Sequence, residues 1–497
     1  MPKSADWQNL PIGMSALDGL SANRKSAMYN RRDTIFALSS GRPPAAIAVV
    51  RVSGPAAKDA IMALAGRVPQ PRHATLLRLK NPSSEGRGLA SGSGSEPIDD
   101  AVVLWFPGPR SETGEDTAEF QLHGGFAVVA AVLSALGTVE GLRPAEPGEF
   151  TRRAFENGKL DLTRVEGLAD LIGAETEAQR RQAFQQLKGL LGDRAERWRQ
   201  QLTEALALVE ASIDFPDEDV VSEKVIQPAL AMAKELDREI RDLLADSHRG
   251  ERLREGLTVA VAGPVNVGKS SIVNRLAKRP AAIVSPHAGT TRDVIEVHLD
   301  LGGFPVTVVD TAGVRETADP VEEEGVRRAR ARTEASDLVL WVTDATFGDP
   351  SPPPAELMKL DGRPVWVLSN KSDLAHGKKP ARASEGDAGR YDSMRCYRLS
   401  ALTGASFDDL VGGLSDYARR FFSGGTESAL VTRQRHRAAL AECAGALRRA
   451  CAEEASGRED IIAEELRLAA RALGRLIGRV DVENILDVIF RDFCIGK

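Results

Sequence analysis

The sequence feature that most constrains the fold is the segment GPVNVGKS at residues 263–270. It fits the pattern GxxxxGK[ST], follows a buried-strand pattern at residues 256–263 and opens a helical pattern. In such a strand–loop–helix, backbone N–H groups and the helix N-terminus surround phosphate oxygens. Lys269 is expected to reach the β- and γ-phosphates, and Ser270 to ligate Mg²⁺. The alternative is a glycine-rich turn that binds no phosphate.

Two further motifs favour a guanine nucleotide. DTAG at residues 310–313 ends a strand pattern and offers a carboxylate near Mg²⁺ and a backbone N–H near the γ-phosphate. NKSD at residues 370–373 ends another strand pattern, and the carboxylate of Asp373 fits the two N–H donors at N1 and N2 of guanine. A site built on that pairing rejects adenine, because its buried acceptors would stay unpaired. The order of the motifs therefore predicts GTP rather than ATP.

Two other segments complete the predicted site. Ser400 and Ala401 follow a strand pattern and can offer a backbone N–H to O6 of guanine. Thr291, in GTTRD at residues 289–293, lies where a switch loop belongs and is the natural second Mg²⁺ ligand. The residues predicted to bind GTP from these motifs are Asn266, Val267, Gly268, Lys269, Ser270, Ser271, Gly289, Thr290, Thr291, Asp310, Thr311, Ala312, Gly313, Asn370, Lys371, Ser372, Asp373, Ser400 and Ala401.

The chain is predicted to combine α/β and all-α domains. Strand and helix patterns alternate around the nucleotide motifs, which predicts a doubly wound, mostly parallel sheet in a P-loop domain at residues 255–426. Residues 151–254 and 427–497 read as the two parts of one split helical domain. An apolar stripe in its first part consists of Trp198, Leu202, Leu206, Val209 and Ile213.

The N-terminal part has a different character. Strand patterns at residues 45–54 and 101–107, with a helix closed by Gly137, predict a mixed α/β domain at residues 32–150. Residues 1–31 are polar and without a clear period, so we interpret them as a flexible extension.

Composition narrows the protein class. The 497 residues carry 65 Lys and Arg against 71 Asp and Glu, a net charge of −6, so any RNA contact has to come from a local patch. The most apolar stretch, residues 126–136, is about half the ~20 residues that a membrane span needs. The chain has four cysteines, Cys396, Cys443, Cys451 and Cys494. Their spacing matches neither a CxxC motif nor a metal site. We expect a cytoplasmic protein with no membrane association, and Cys443 and Cys451 in its core.

Three segments outside the nucleotide motifs resemble one family. They are LWFPGPRSETGEDTAEFQLHGG (104–125), EPGEFTRRAFENGKLDLTRVEGLADLI (146–172) and FCIGK (493–497). With GPVNVGKSS, GTTRD, DTAG and NKSD, they are similar to the MnmE (TrmE) family of tRNA uridine 5-carboxymethylaminomethyl modification GTPases. The resemblance covers about residues 33–497. It implies a tetrahydrofolate-binding and dimerisation domain, a split helical domain and an inserted Ras-like G domain.

The resemblance also implies an activity. Members hydrolyse GTP, in a K⁺-stimulated reaction in which two G domains dimerise, and modify C5 of the wobble uridine of certain tRNAs. The family acts as a homodimer with an FAD-dependent partner of the MnmG (GidA) type, in a heterotetramer or larger assembly. The carbon comes from a tetrahydrofolate one-carbon derivative, either 5-formyl- or methylene-tetrahydrofolate. The implied cofactors are therefore Mg²⁺, K⁺ and this folate, with GTP as substrate.

Where its motifs match those of the family, the family's functional residues can be assigned to positions of this chain. The implied folate contacts are Arg51, Glu119, Lys159 and Lys497, which residue type alone would class as surface charges. Glu322 matches the glutamate that activates the attacking water, and Val314 stands where Ras-type GTPases place a glutamine. The loop implied to border GTP consists of Ser285, Pro286, His287, Ala288, Gly289 and Thr290, and it departs from the family at residues 285–287. The implied K⁺ ligands are Asn266, Ser285, His287 and Thr290.

Some questions stay open at this level. Cys494 in FCIGK is a catalytic candidate by resemblance and an apolar core residue by type. Basic clusters at residues 180–181, 194–199 and 433–437 fit either solvated helical faces or a tRNA phosphate surface. The alternative function is a GTP-switched RNA-binding assembly factor with no chemistry of its own. The folate-related segments and FCIGK favour the enzyme.

Overall fold

The chain forms two compact units in the computed structural model, one up to Leu160 with the C-terminal segment from Asn484, and one from Asp161 to Glu483. The described residues are 33–82, 96–214, 219–283, 296–310, 336–347, 353, 363–375, 395–423, 430–455, 457–480, 486, 489, 490, 493, 495 and 496. The predicted extension at residues 1–31 lies outside them. The helix at residues 149–156 belongs to the first unit, so the division falls about ten residues after the boundary predicted at 150.

The first unit contains a six-stranded sheet with helices against one face. Its elements are β1 (Thr34–Leu38), β2 (Ile47–Ser53), α1 (Ala57–Ala65), β3 (Thr75–Lys80), β4 (Pro97–Phe106), β5 (Thr117–His123), α2 (Phe126–Gly137), β6 (Leu142–Pro144) and α3 (Glu149–Glu156). The strand order is β3-β4-β5-β2-β1-β6, antiparallel except for the parallel pair β1–β6. The predicted strands are found as β2 and β4, and α2 includes Gly137, with Thr138 as its C-cap.

The burial of side chains alternates along the strands, and this distinguishes the two faces of the sheet. In β2, Ala48, Val50 and Val52 are buried with residues of α1 and α2. Val49 and Arg51 alternate with them and lie on the opposite face, where they are half-buried. The second face is therefore available to polar side chains from neighbouring strands.

The helical part of the second unit surrounds one large apolar core. Its helices are α4 (Leu162–Gly173), α5 (Glu177–Leu187), α6 (Leu190–Asp214), α7 (Asp219–Ala245), α8 (Ser247–Glu255), and, after the nucleotide domain, α11 (Gln434–Ala452) and α12 (Glu459–Ile477). Side chains of α6, α7, α11 and α12 form that core. Local signals set some boundaries: Asp161 caps α4, and Thr176 with Gln179 forms a capping box on α5.

The apolar stripe predicted on α6 is correct at its start and wrong at its end. Ile213 is 40% exposed, and Leu206 is half-buried. Besides Gly192, α6 buries Leu191, Ala195, Trp198, Leu202, Ala205, Val209 and Ser212. Their steps alternate between four and three, a period of 3.5 that keeps one seam against the neighbouring helices. The predicted residues are spaced four, four, three and four positions apart. This average spacing is longer than that of the buried residues, so the predicted stripe drifts away from the seam. Cys443 is in this core as predicted, but Cys451 is half-buried.

The nucleotide domain of the second unit is a doubly wound sheet, as predicted. Its described elements are β7 (Leu257–Ala262), α9 (Lys269–Ala277), β8 (Glu296–Leu301), β9 (Phe304–Asp310), β10 (Leu338–Asp344), β11 (Val365–Asn370), β12 (Cys396–Arg398) and α10 (Phe407–Phe422). The strand order is β12-β11-β10-β7-β9-β8, parallel except for β8, which runs antiparallel to β9. In such sheets, ligands bind beyond the carboxyl ends of the parallel strands, and the predicted motifs lie there.

Candidate nucleotide-binding site

The loop between β7 and α9 can be built only with glycine at two positions. Gly263 has φ +147°, and a Cβ there would collide with the carbonyl oxygen of Val342. Gly268 has φ +94°, and a Cβ there would collide with Nδ2 of Asn370. Both glycines therefore serve close backbone approach as well as left-handed geometry. The loop ends where α9 begins at Lys269, so the N-terminus of that helix faces the loop.

Lys269 lies folded into this loop. Its Nζ donates hydrogen bonds to the carbonyl oxygens of Gly263 (2.8 Å) and Pro264 (2.7 Å). Burial lowers the pKa of Lys269, and the negative charge of Asp310 opposes that shift. Asp310 is buried at the carboxyl end of β9. Lys269 thus lies inside the phosphate loop and Asp310 at the end of the strand that neighbours β7, while their contacts to phosphate and to the Mg²⁺ shell stay predictions.

Asn370 connects the phosphate loop to the loop after β12. Its Nδ2 donates to the carbonyl oxygen of Val267 (2.9 Å), and its Oδ1 accepts from the backbone N–H of Ala401 (2.9 Å). The N–H of Ser400 donates to the carbonyl oxygen of Ala405 (3.1 Å). Both N–H groups that were predicted as partners for O6 of guanine therefore hold the loop in shape in this structure. The amide of Asn370 sets the spacing between the predicted phosphate and base ends.

A cavity of about 490 Å³ opens between these two loops. Its lining residues are Gly268, Ser271, Asn274, Arg275, Lys278, Asn370, Lys371, Asp373, Leu374, Ser400, Ala401 and Leu402. The structure thus brings together seven residues that the motifs predicted. Leu374 is 59% exposed and Leu402 is 82% exposed, so apolar side chains are available beside a flat base.

The sequence-based prediction missed several lining residues. Asn274 and the C-cap residue Lys278 lie three and seven positions after the predicted Ser271, on the same side of α9, and this spacing is the signal that could have found them. Leu374 and Leu402 directly follow predicted motif segments. Of the predicted loop residues, Val267 is buried, whereas Asn266, Ser270 and Ser271 are exposed.

Asp344 is a further carboxylate that the prediction missed. Its Oδ2 lies 2.7 Å from Nζ of Lys371, and its Oδ1 accepts from the backbone N–H and the hydroxyl of Thr346. Burial raises the pKa of Asp344, but the bonds from Lys371 and Thr346 outweigh it and lower the pKa overall. Asp344 is paired in register with Asn370 across β10 and β11. The signal is its place at the carboxyl end of a parallel strand.

Several predicted residues lie outside the described part of the chain. They are Ser285, Pro286, His287, Ala288, Gly289, Thr290, Thr291, Thr311, Ala312, Gly313, Glu322, Cys494 and Lys497. Within the described ranges, no group of three or more His, Cys, Asp and Glu side chains could hold a metal ion. Ser270 and Asp310 offer hard oxygen ligands of the kind Mg²⁺ takes beside phosphate oxygens.

The first unit places two of the predicted folate residues in contact. Arg51 on β2 and Glu119 on β5 are paired in register, with Nη2 of Arg51 2.9 Å from Oε1 of Glu119. Glu112 lies 2.7 Å from Nη1 of Arg51, and the guanidinium is 5.9 Å from the centre of the Phe150 ring. Lys159 is exposed just after α3. The sheet face opposite α1 and α2 therefore carries a cation and two carboxylates side by side.

The C-terminal segment packs on this first unit. Ile495 forms a β-bridge with Pro147, and Ser39 Oγ donates to the carbonyl oxygen of Gly496 (2.7 Å). Gly148 has φ +68°, and a Cβ there would lie 2.7 Å from the carbonyl oxygen of Phe490. Ser39 follows β1, the strand that pairs with β2 beside Arg51. Ile495 and Gly496 of the FCIGK segment are thus held at Pro147 and at Ser39, the residue that follows β1.

Most of the arginines in the basic clusters form ion pairs with carboxylates of the same chain. Arg180 and Arg181 both pair with Glu177, and Arg199 pairs with Glu196. In the third cluster, Arg433 pairs with Asp170, Arg435 with Glu166 and Arg437 with Glu251. These contacts favour the reading of the clusters as structural or solvated faces.

Comparisons with known proteins cover nearly the whole chain. It matches the family described as GTP-binding protein TrmE N-terminus over residues 34–159 and the MnmE helical domain over residues 162–494. The tRNA modification GTPase MnmE of Rhodopseudomonas palustris (strain BisB18) is 55% identical over 471 residues, which cover 95% of this chain and 100% of that protein. The protein of the same name from Rhodospirillum rubrum is 53% identical over 476 residues, covering 94% and 99%.

One solved structure illustrates a more distant likeness. The G domain of the FeoB iron transporter of T. maritima is 23% identical, covers 33% of this chain and 98% of that one, and has a TM-score of 0.25. Because this likeness is weak, the nucleotide-binding fold is identified by the strand order and the loop geometry described above rather than by this comparison. Within the described residues, no helix has both the length and the apolarity to cross a membrane.

Proposed function

The chain belongs to the tRNA modification GTPase MnmE family, and on this premise we propose that it hydrolyses GTP and couples the hydrolysis to modification of tRNA. The main support for GTP binding is that Gly268 of the phosphate loop and Lys371 and Asp373 of NKSD line the same cavity. A carboxylate there fits the N1 and N2 donors of guanine, and the phosphate loop fits the other end of the nucleotide.

The tRNA reaction proposed is substitution at C5 of the wobble uridine. An aminomethyl or carboxymethylaminomethyl group is added together with an FAD-dependent partner of the MnmG (GidA) type, which supplies the redox chemistry. Its support is the family, together with the anchoring of Ile495 and Gly496 beside β1, which brings the FCIGK segment to the unit holding Arg51 and Glu119. An assembly factor that only switches with GTP would have no use for this arrangement.

Mass spectrometry of tRNA nucleosides tests the proposal. Cells that lack this protein should lose the modified wobble uridine, and the wild-type gene should restore it. Cys494→Ser should fail to restore it while the purified protein keeps GTP hydrolysis within about twofold, because FCIGK lies outside the nucleotide domain. Cys396→Ser, which changes an exposed cysteine of β12, is the control and should restore it. Unchanged nucleosides in the deletion strain would favour the assembly factor, and equal loss of both activities in Cys494→Ser would indicate a folding role.

A folate one-carbon derivative is the proposed carbon donor, bound by Arg51, Glu119, Lys159 and Lys497. The carboxylate of Glu119 can accept the N–H donors of the pterin edge, and Arg51 holds that carboxylate in place through Nε (3.0 Å) and Nη2 (2.9 Å). The remaining nitrogen, Nη1, lies 2.7 Å from Oε2 of Glu112, whose side chain is 57% exposed, so an acceptor on the ligand would replace that exposed carboxylate.

Glu119→Gln should weaken binding of 5-formyl-tetrahydrofolate by about tenfold or more, because charge-assisted hydrogen bonds become neutral ones. Isothermal titration calorimetry on the full-length protein measures this. Glu156→Gln, which removes the exposed partner of Arg152 in the same unit, is the matched control and should bind as the wild type does. Unaltered affinity in Glu119→Gln would remove Glu119 from the site.

K⁺ is the proposed activator, held by Asn266 with residues 285–290 while two G domains of the homodimer pair across their nucleotides. Asn266 is exposed on the phosphate loop, with φ +61°, so an ion from solvent can reach its side-chain amide. Amide and carbonyl oxygens suit such cations, and a positive charge near the β–γ bridge stabilises the transition state.

Turnover of GTP should be at least about tenfold faster in KCl than in NaCl of the same ionic strength, equivalent to about 1.4 kcal/mol in the barrier. Asn266→Ala should remove the difference by lowering the K⁺ rate to the Na⁺ rate. Steady-state phosphate release measures both, and nucleotide affinity measured in parallel controls for loss of the site. Equal rates of the wild type in the two salts would contradict the proposal.

A further inference from the structure

Arg275 joins the helix that begins at the phosphate loop to the loop at the other end of the cavity. It lies in the last turns of α9, and its Nη1 donates to the carbonyl oxygens of Ala401 (2.8 Å) and Leu402 (2.9 Å). Both acceptor residues and Arg275 itself line the cavity. Two successive carbonyls held by one nitrogen leave the peptide plane between them little freedom to rotate.

The surroundings of Arg275 keep the guanidinium in this position. Gly404 has φ +89°, and a Cβ there would collide with Nη2 of Arg275, so the loop backbone lies directly against the fork. The guanidinium also lies 5.6 Å from the centre of the Phe407 ring. Asn370 holds the other side of the loop through the N–H of Ala401. The loop is therefore fixed from α9 on one side and from β11 on the other.

We propose that Arg275 is a positioning residue for guanine recognition. By fixing the peptide between residues 401 and 402, it sets the direction of the backbone N–H of Leu402 in the cavity wall and presents that N–H to O6 of the base. This inference rests on the proposed binding of GTP. It adds a second determinant of base specificity to NKSD. Asp373 binds the N1 and N2 edge of guanine, and Arg275 acts on the recognition of O6 through the loop that it holds.

Arg279, which lies just after the end of α9, provides a matched control. It follows Arg275 by one turn, and its guanidinium lies 5.3 Å from the centre of the same Phe407 ring. Its Nη1 contacts Asp408 (2.5 Å) rather than the carbonyls of residues 401 and 402, and it does not line the cavity. Removing Arg279 therefore tests the loss of an arginine from this surface without disturbing the loop.

The experiment compares two diphosphates on the full-length protein. GDP is one, and the 2,6-diaminopurine riboside diphosphate is the other. That analogue keeps the 2-amino group, carries an amino group in place of O6 and lacks the N1 proton, so Asp373 meets one donor fewer in the wild type and in the variant alike. Arg275→Ala should raise the Kd for GDP by about tenfold, the range of a lost charge-assisted hydrogen bond, and change the Kd for the analogue by less than about twofold. Arg279→Ala should change neither.

Equal weakening of both nucleotides, or none, would overturn the inference, because a merely structural arginine has no preference between the two bases. Should Arg275→Ala be too unstable to measure, Arg275→Lys keeps the charge but not the fork and should lower the GDP preference by about threefold. An unchanged preference in that variant would equally overturn it. Failure of the wild type to bind GDP would instead reject the proposed GTP binding.

Discussion

Asp373→Asn is expected to convert the site from GTP to xanthosine triphosphate. Asp373 is exposed at the cavity wall, in the turn closed by the bond from the N–H of Leu374 to the carbonyl oxygen of Lys371 (3.0 Å). The carboxylate accepts from N1 and N2 of guanine, whereas an amide donates to O2 of xanthine. Loss of two charge-assisted bonds at about 1.5 kcal/mol each predicts roughly 10²-fold weaker GTP binding.

The measurement is the pair of Kd values for GTP and XTP, from competition against a fluorescent nucleotide. XTP binding should improve in the variant by an amount similar to the loss for GTP. Asp408→Asn, which alters an exposed carboxylate outside the cavity, is the control and should leave both values as in the wild type. A variant that still discriminates GTP from XTP as the wild type does would show that another residue reads the base.

The nucleotide domain could be predicted from the sequence because its signals are local. The buried strands are nearly continuous apolar runs, as in β10 (LVLWVTD, Leu338–Asp344). The phosphate loop and NKSD each directly follow such a run, so their common edge follows from the parallel order of the strands. In contrast, β3 (TLLRLK) and β5 (TAEFQLH) alternate polar and apolar residues over a short length. They give weaker signals, and the prediction missed both.

The contacts between distant segments could not be predicted. Arg51 and Glu119 oppose each other because β2 and β5 are neighbours in the sheet, although residue type alone marks them as surface charges. The bonds of Asn370 to Val267 and Ala401, and those of Arg275 to the same loop, depend on which loops meet at the sheet edge. Such pairs leave no local pattern along the sequence. The family resemblance supplied the folate residues, and the structure supplied Arg275, Asp344 and Glu112.

Hydrolysis is expected to depend on Glu322. Ras-type GTPases orient the attacking water with a glutamine directly after DTAG, and this chain has Val314 there, whose side chain cannot hydrogen-bond a water. The segment RETADPVEEEG at residues 315–325 is acidic, and Glu322 in it matches the water-activating glutamate of the family. Removing a group that orients and activates the nucleophile costs about 10²-fold or more in rate. Glu322→Ala should therefore lower kcat by at least that factor and leave the affinity for GTP unchanged, because the group acts on water rather than on the nucleotide.

Two neighbouring acids make the test of Glu322 specific. Glu323→Ala and Glu324→Ala remove the same charge from the same segment and should hydrolyse GTP within about threefold of the wild type, since catalysis by a positioned group does not tolerate a shift of one or two residues. Single-turnover hydrolysis in K⁺, with GTP affinity measured in parallel, separates chemistry from binding. Comparable losses in all three variants would show that only the net charge of the segment matters, and full activity of Glu322→Ala would reject the role of Glu322. A loss confined to Glu322→Ala, in a protein that binds GTP normally, would identify the group that replaces the glutamine missing at Val314.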